Sequence, residues 1–379
     1  MKKEFGIYIH IPFCVRKCLY CDFLSFACDK DARERYMEAL YKEIKAFSRH
    51  LGEIEVSTVF IGGGTPSVVD TALLERVIEA LKENYSVKAD AEITMELNPG
   101  TVTADSLKNY KAMGINRLSM GLQAWQDRLL KTLGRIHTAE KFKESFLLAR
   151  EEGFDNINVD IMLSLPGQTM EDVKETFENV ISLSPEHISA YSLIVEDGTP
   201  FKDMFESGKF EEIDEDFDRN IYRFSCEMLE KNGYKRYEIS NFAKKGFESR
   251  HNSLYWRTDE YIGFGLGAHS YFNGERYHNT ADMERYIALS EDHESIKEDV
   301  EKLTKEDKIS EFMFMGLRMD EGVKKSVFKE RFDVDMNDIY SEIIIKYKDM
   351  GMIEDVDDCI HLTDKGIDVS NVIFSEFLL

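Results

Sequence analysis

The sequence of 379 residues has no long hydrophobic run. Nothing in it approaches the roughly 18 uninterrupted apolar residues that a membrane-spanning helix needs. The N-terminal segment "MKKEFGIYIHIPF" also lacks the long apolar core and the small-residue cleavage site of a signal peptide, and its pattern predicts the start of a strand. We therefore expect a soluble, cytoplasmic protein without a membrane anchor.

Positive charge is scarce relative to negative charge. The chain has 48 Lys and Arg against 72 Asp and Glu, a formal net charge of −24. The excess continues in residues 301–379, which carry 11 basic and 19 acidic residues. Because such a surface repels a phosphate backbone and no basic stripe opposes it, we expect no nucleic-acid partner.

Cysteine is also scarce, and its distribution is uneven. Six cysteines are too few for a disulfide scaffold, and Cys14, Cys18 and Cys21 lie within eight residues. In a reducing cytosol, such a group is more typical of metal binding or redox chemistry than of disulfides. Cys226 and Cys359 are isolated, and we expect them to pack as small hydrophobic residues.

The first two-thirds of the chain alternates short apolar, β-branched runs with longer helical patterns. The predicted strands are 5–11, 56–62, 91–97, 115–121, 157–163 and 187–193. Predicted helices between them include 33–51, the segment "DTALLERVIEALKEN" with Asp70 as N-cap, and "MEDVKETFENVISL". Six βα units predict an α/β fold with a parallel sheet, a partial (β/α)6 TIM-like barrel whose site lies at the C-terminal ends of its strands.

The remainder of the chain has a different composition. Residues 211–233 predict a connecting helix, and 237–280 are rich in Gly, Asn and aromatic residues. The last eighty residues predict a helical domain with a winged-helix-like end. We therefore expect a core barrel over 1–235, a connecting region over 236–300 and a smaller, mixed and mainly helical domain over 301–379.

The spacing C-x3-C-x2-C suits either zinc or an iron–sulfur cluster. Structural zinc sites usually have four ligands, often as two separated C-x2-C pairs, and a second pair is absent here. Three thiolates on a cubane leave one iron open to a small molecule. The pattern therefore favours a [4Fe–4S] cluster on Cys14, Cys18 and Cys21. Cys28 lies seven residues further on, and we expect it not to be a ligand.

These cysteines after a first strand, the six βα units and the loop "GGGTPS" (62–67) resemble the radical S-adenosylmethionine superfamily. The resemblance implies that the open iron binds the amino and carboxylate groups of S-adenosylmethionine, and that the reduced cluster cleaves the sulfonium to a 5′-deoxyadenosyl radical. The glycines also indicate a ligand site independently of the resemblance, since residues without a side chain let the backbone approach a ligand closely. An ordinary tight turn is the alternative.

Over nearly the whole chain, the resemblance narrows to the coproporphyrinogen III oxidase-like subfamily. It implies that S-adenosylmethionine contacts nine residues: Tyr8, Tyr20, Gly63, Gly64, Thr65, Glu96, Gln123, Arg135 and Asp160. Arg135 can pair with a carboxylate, and Asp160 can accept hydrogen bonds from ribose hydroxyls. Each could instead form a structural salt bridge or cap.

Two branches of that subfamily differ at positions that this sequence can test. The oxygen-independent oxidase branch, HemN, has a fourth cysteine in C-x3-C-x2-C-x-C and an N-terminal extension. This chain has Phe23 at that fourth position, and its first strand begins near residue 5. It is therefore more similar to the haem chaperone branch, HemW, which has the "CDF" ending and an H-N-x-x-Y-W segment.

That segment is "HNSLYW" (251–256) in this chain. By resemblance it binds haem, and an imidazole is a competent axial ligand to haem iron. We predict His251 as the ligand, with His269 and His278 as weaker alternatives; His10 is expected to pack beside the cluster. Tyr255 and Trp256 either stack on the porphyrin or belong to the core.

The resemblance implies a protein of porphyrin metabolism that binds haem and, with its cluster and S-adenosylmethionine, assists haem transfer to apo-haem proteins, membrane respiratory enzymes among them. In this interpretation no residue is assigned a catalytic role. The alternatives are oxidative decarboxylation of coproporphyrinogen III and radical chemistry on an unrelated substrate. The sequence leaves the recipients, covalent attachment of haem, cleavage of the cofactor and dimerisation open.

Overall fold

Six strands alternate with helices along the first half of the chain in the computed structural model, which describes residues 5–51, 54–210 and 214–379. The strands are β1 (Gly6–Ile11), β2 (Glu55–Gly63), β3 (Ser86–Leu97), β4 (Arg117–Gln123), β5 (Ile157–Leu163) and β6 (His187–Ser192). The helices are α1 (Lys30–Leu51), α2 (Thr71–Asn84), α3 (Ala104–Ala112), α4 (Asp127–Thr132), α5 (Ala139–Glu151), α6 (Met170–Leu183), α7 (Pro200–Glu206) and α8 (Glu215–Lys231). All six predicted strands are present. Residues 211–213 of the predicted connecting helix lie outside the described residues.

The predicted helix boundaries agree closely with the observed ones. Asp70 caps α2 by accepting a hydrogen bond from the Ala72 N–H at 2.9 Å. At the start of α6, Thr169 and Asp172 form a reciprocal capping box. These local signals satisfy backbone donors that a helix leaves unpaired, so helix starts are readable from sequence.

The central sheet is open. Strands β1 to β6 are parallel and are paired in chain order. Further elements are β7 (Lys235–Glu238), β8 (Asn241–Ala243), α9 (Arg250–Trp256), β9 (Tyr261–Phe264), β10 (His269–Phe272), β11 (Glu275–Asn279), α10 (Met283–Leu289), α11 (His293–Ile296) and β12 (Lys297–Lys302). β9 pairs with β1 and β8 pairs with β6, so β1 and β6 do not pair with each other. The fold is thus the predicted partial barrel.

The strands present different residues on their two faces. On β1, Ile7, Ile9 and Ile11 are fully buried and belong to the main hydrophobic core, which also holds the apolar faces of the helices. The intervening residues Tyr8 and His10 point to the other face because strand side chains alternate. The same alternation continues from strand to strand, so the inner face carries the polar side chains.

The C-terminal part has its own hydrophobic core, formed by buried residues between Ile309 and Phe377. Its elements are α12 (Lys305–Gly316), β13 (Val323–Lys324), α13 (Lys325–Phe332), α14 (Met336–Asp349), β14 (Ile353–Val356), β15 (Cys359–Leu362), α15 (Asp364–Ile367) and α16 (Ser370–Glu376). Helices α12, α13 and α14 with the antiparallel sheet of β13, β14 and β15 give the winged-helix-like order that the sequence predicts, and the short helices α15 and α16 follow the β14–β15 hairpin. The exact domain boundaries at 235 and 300 stay a prediction. Within the described ranges, no helix is long and apolar enough to cross a membrane.

Candidate functional site

The loop between β1 and α1 carries Cys14, Cys18 and Cys21, all half-exposed. Backbone hydrogen bonds hold this loop at its start and in its middle. The Cys14 N–H donates to the Phe26 carbonyl at 3.1 Å, and the Leu19 N–H donates to the Leu133 carbonyl at 3.0 Å. Cys28 lies at the end of this loop and packs against the main hydrophobic core. The three cysteines of the motif therefore project from one loop, while Cys28 contacts apolar side chains.

The surroundings of the three thiols differ. Cys14 Sγ lies 3.5 Å from Thr65 Oγ1, and an Arg135 N–H donates to Cys18 Sγ at 3.6 Å. Burial raises the pKa of the Cys21 thiol. Within the described residues, no group of three His, Cys, Asp or Glu side chains is arranged to hold a single metal ion. Three sulfur donors on one loop beside a guanidinium are the donor chemistry of an iron–sulfur cluster, whose net negative charge Arg135 would offset.

The glycine loop after β2 is held too tightly for larger side chains. Gly63 has φ of +109°, and a Cβ there would meet the His10 ring at 2.4 Å. A Cβ on Gly64 would meet the backbone of Phe13 at 2.7 Å. The Gly64 N–H donates to the Ile11 carbonyl at 2.8 Å and the Thr65 N–H to the Phe13 carbonyl at 2.7 Å. The loop is therefore pinned against the start of the cysteine loop.

Two predicted carboxylates, Glu96 on β3 and Asp160 on β5, face the inner side of the sheet. Glu96 accepts a hydrogen bond from the Gly63 N–H at 3.0 Å, and Asp160 accepts one from Asn158 at 2.8 Å. Burial, with the charge of Asp160 adding to it, raises the pKa of Glu96 to about 7. Burial also raises the pKa of Asp160. Such carboxylates favour a ligand that brings a positive charge or hydroxyl donors, and S-adenosylmethionine has both.

Arg135 and Gln123 meet on the opposite side of the same space. Arg135 donates to Asn98 Oδ1 at 2.8 Å and to the Gly121 carbonyl at 2.6 Å. A Cβ on Gly121 would meet Gln123 Nε2 at 2.9 Å and Arg135 Nη2 at 3.0 Å, so both side chains would have to shift to admit it. Within the described chain, Gln123 Oε1 and Arg135 Nε are buried without a hydrogen-bond partner. Unpaired buried polar atoms are costly, and a polar ligand would satisfy them.

The structure brings the nine predicted S-adenosylmethionine residues into one region. Gly63 and Tyr8 adjoin Glu96, and Thr65 adjoins Cys14. Burial raises the pKa of Tyr20, and its charged neighbours are Arg135, Cys18, Cys21 and Asp160. These residues fit the cofactor, although their contacts with it remain predictions.

Sequence analysis missed two residues of this region. Asn98 donates to Thr65 Oγ1 at 2.6 Å and accepts from Arg135, so it joins the glycine loop to the arginine. Tyr191, on β6, lies among Tyr20, Arg135 and Asp160, and burial raises its pKa well above the usual value. Asn98 directly follows the predicted strand 91–97, and this position at a strand end is a signal that could have found it. No pattern in the sequence marks Tyr191.

His251 lies in α9, packs against β2 and is fully buried. Its Nδ1 is hydrogen-bonded to Thr58 Oγ1 at 2.8 Å and its Nε2 to Tyr255 OH at 2.8 Å. The ring also stacks on Phe60, with centroids 5.3 Å apart. Burial, with a contribution from Arg117, lowers the pKa of His251 to about 3. Both ring nitrogens are thus engaged within the protein.

A cavity of about 610 Å³ opens beside these residues. Its wall includes Tyr8, Gly63 and Glu96 of the predicted cofactor site. It continues past Phe23 of the cysteine loop to aromatic residues of α9, β9 and β10, which are Tyr255, Trp256, Tyr261 and Tyr271. The volume lies in the range of small-molecule and cofactor pockets. One continuous space therefore joins the cofactor residues to the H-N-x-x-Y-W segment.

Comparison with known families and proteins agrees with this geometry. The radical SAM superfamily model matches residues 8–180, and the HemN C-terminal domain model matches residues 303–369. In overall structure the chain resembles coproporphyrinogen III oxidase (HemN) from Escherichia coli, with a TM-score of 0.86 and 24% identity, over 99% of this chain and 90% of that one. This match shows the fold.

Similarity in sequence is more specific. The chain is 38% identical to heme chaperone HemW of Lactococcus lactis subsp. lactis (strain IL1403), over 100% of this chain and 98% of that protein. It is 36% identical to heme chaperone HemW of Bacillus subtilis (strain 168), over 98% of each chain. It is 39% identical to the Escherichia coli (strain K12) protein of the same name, over 70% of this chain and 69% of that one. The barrel, the cysteine loop and these matches, two of them over nearly the whole of both chains, together show that the chain belongs to the HemW family of haem chaperones within the radical SAM superfamily.

Proposed function

We propose that this protein binds haem in the cavity beside its cofactor site and assists haem transfer to apo-haem proteins. The observation that supports the proposal is the continuous cavity of about 610 Å³. Its outer wall carries the aromatic rings of Phe23, Trp256 and Tyr271, and its inner wall carries the polar groups of Tyr8 and Glu96. Aromatic side chains offer flat apolar surfaces to a porphyrin, and the inner polar groups suit a smaller charged ligand.

The cofactors in this proposal are a [4Fe–4S] cluster and S-adenosylmethionine. Cys14, Cys18 and Cys21 would hold the cluster, and the glycine loop, Glu96, Gln123, Arg135 and Asp160 would hold S-adenosylmethionine. When bound, the pair supplies one-electron chemistry at a sulfonium. The chain's own contribution is to fix the loop, exclude bulk water from the inner part of the cavity and offset the cluster's charge with Arg135.

The partners in this proposal are haem and the apo-haem proteins that receive it, with membrane respiratory enzymes as the expected recipients. The acidic surface, with a net charge of −24, would favour recipients with basic docking surfaces. A cytoplasmic location belongs to the same proposal.

A haem titration of the purified, cluster-loaded protein tests the proposal. We expect a Soret band that shifts on binding and saturates at a fixed haem-to-protein ratio. Absence of the shift in the wild-type protein would overturn haem binding. An anaerobic assay with reductant, S-adenosylmethionine and coproporphyrinogen III addresses the oxidase reaction, and formation of protoporphyrinogen would contradict the chaperone proposal.

Substitution of the cysteines tests the cluster site. We expect Cys14→Ser, Cys18→Ser and Cys21→Ser each to lose iron, sulfide and the broad absorption of the cluster. Cys28→Ser is the matched control, and it should keep the cluster because Cys28 contacts the main core. Loss of the cluster in the Cys28 variant would show that the site is larger than proposed.

A further inference from the structure

Four histidines lie at or near the cavity, and an axial ligand to haem iron needs a ring nitrogen with a free lone pair. They are His10, His251, His269 and His278. Their hydrogen bonds distinguish them.

Three of the four have both ring nitrogens engaged. His10 Nε2 donates to the Leu24 carbonyl at 2.9 Å, which leaves Nδ1 to accept from Tyr8 OH at 2.9 Å. His251 is engaged by Thr58 and Tyr255. His278 Nδ1 donates to the Asn279 carbonyl at 2.8 Å, and its Nε2 forms an ion pair with Asp299 at 3.0 Å. Ligation by any of them would break an existing hydrogen bond.

His269 is different. It begins β10, its side chain is exposed, and it lines the cavity. Within the described part of the chain, its ring makes no hydrogen bond; its nearest aromatic contact is the ring of His278, 5.1 Å away between centroids. Burial, with His278 and Arg276 contributing, lowers the pKa of His269, so the imidazole is neutral at pH 7. A neutral ring with free nitrogens is the form that binds a metal.

The cavity wall around His269 has the surfaces that a porphyrin needs. Phe23 is 63% exposed and lines the same cavity. Trp256 and Tyr271 line the same outer part. These rings provide apolar faces against which a flat macrocycle can pack.

The charged side chains of the cavity wall influence the orientation of such a ligand. Asp22, Asp259 and Glu311 are acidic, and Arg276 is committed to Glu311 through two hydrogen bonds of 2.7 and 2.9 Å. These acidic side chains would repel the haem propionates, so we expect the propionates to point toward the opening of the cavity.

His269 is also close to the cofactor residues. His269 and His10 line the same cavity, and a proton on His269 would lower the pKa of His10, which packs against Gly63 of the glycine loop. A ligand on His269 would therefore occupy the side of the cavity that adjoins the predicted S-adenosylmethionine site. Binding of either ligand should then alter the environment of the other.

We propose that His269, and not His251, is the axial ligand of haem iron, with Phe23 packing against the porphyrin face. This inference rests on the proposed function, because it assigns the ligand within the same cavity. A lone pair on a ring nitrogen of His269 coordinates the iron, and no proton or electron is transferred in that step. His251 acts as a positioning residue that holds Tyr255 in the cavity wall through a hydrogen bond and stacks on Phe60 behind it.

The test compares haem binding by the full-length, cluster-loaded wild-type protein with that of His269→Ala, His278→Ala and His251→Ala. For His269→Ala we expect loss of the histidine-ligated Soret and electron paramagnetic resonance signals and haem binding at least about tenfold weaker, which corresponds to about 1.4 kcal/mol. Added imidazole should restore the signals. Iron-free protoporphyrin IX needs no axial ligand, so its binding should be equal in wild type and His269→Ala.

The matched control is His278→Ala, which removes the neighbouring imidazole on the paired strand and should keep the wild-type spectrum. An unchanged spectrum and affinity in His269→Ala would overturn the assignment while leaving haem binding intact. A wild-type protein that binds no haem would instead overturn the proposed function. Loss of protoporphyrin IX binding together with haem binding in His269→Ala would also contradict axial ligation, because it would show a packing role.

Discussion

The inner and outer parts of the cavity are built differently. We define the inner part as Tyr8, His10, Gly63 and Glu96, and the outer part as Phe23, Trp256, His269 and Tyr271. In the inner part, Tyr8 OH is hydrogen-bonded to His10 Nδ1 at 2.9 Å, His10 Nε2 to the Leu24 carbonyl at 2.9 Å, and the Gly63 N–H donates to Glu96 at 3.0 Å. In the outer part, Phe23 and His269 are exposed and have no hydrogen bond from their rings within the described residues.

This difference indicates what each part can bind. A wall whose polar groups are fixed by mutual hydrogen bonds holds one small ligand of constant shape, because its geometry is set before binding. A wall of exposed aromatic and imidazole side chains binds a large flat ligand without reorganising the core. Release is then possible without unfolding, as a carrier of haem requires. His251 resembles the residues of the inner part, because both of its ring nitrogens are hydrogen-bonded within the protein, although its sequence segment adjoins the outer part.

The largest expected effect that sharpens this comparison is on stability. His251→Ala removes a fully buried ring that is hydrogen-bonded at both nitrogens, and we expect it to lower the free energy of unfolding by about 3 kcal/mol. His269→Ala removes an exposed ring without hydrogen bonds and should change that free energy by less than about 0.5 kcal/mol. Urea unfolding followed by circular dichroism measures both. Equal losses in the two variants would remove the distinction between the parts.

A smaller effect is expected on the pH dependence of stability, through Glu96. Burial raises the pKa of Glu96 in the folded protein to about 7, above its ordinary value of 4.5. The folded state therefore holds a proton that the unfolded chain releases above pH 4.5, so this residue's contribution is fully present below pH 4.5 and is lost as the pH rises through 7. Glu96→Gln removes the titration.

We expect the free energy of unfolding of wild type to fall, relative to that of Glu96→Gln, by about 2 kcal/mol between pH 4.5 and 8, less than the full shift implies because the side chain keeps some contact with water. Parallel urea titrations at several pH values measure this difference. Phe23→Ala is the control from the outer part, and it should give the wild-type pH dependence. A constant offset between wild type and Glu96→Gln across this range would contradict the buried inner carboxyl.

The smallest effect concerns the outer wall alone. Phe23→Ala should weaken haem binding by about threefold, the value of one aromatic stacking contact, and leave S-adenosylmethionine binding unchanged. Val15→Ala is the matched control, because Val15 is 61% exposed on the same loop and does not line the cavity. Fluorescence quenching with haem and calorimetry with S-adenosylmethionine measure the two affinities. A weaker cofactor affinity with unchanged haem affinity would place Phe23 in the inner part instead.

Much of the fold was predictable because its signals are local. Strand alternation, helix periodicity and capping residues such as Asp70 act over a few positions, and all six strands and the α2 and α6 boundaries agree with the prediction. The cysteine loop and the glycine loop were recognisable for the same reason, since each is a short contiguous pattern. The partners of those loops were less visible, because Asn98 and Tyr191 reach the site only through folding.

The sequence by itself determined the family, the barrel and the loop that carries Cys14, Cys18 and Cys21. Only the tertiary structure decided which histidine has a nitrogen to offer. His251 and His269 lie 18 positions apart in one Gly- and aromatic-rich segment, and nothing local distinguishes their rings. Thr58, which is 193 positions from His251, engages one nitrogen of that buried ring, while His269 opens onto the cavity. A side chain's free lone pair depends on its neighbours in space, and those neighbours come from distant parts of the chain.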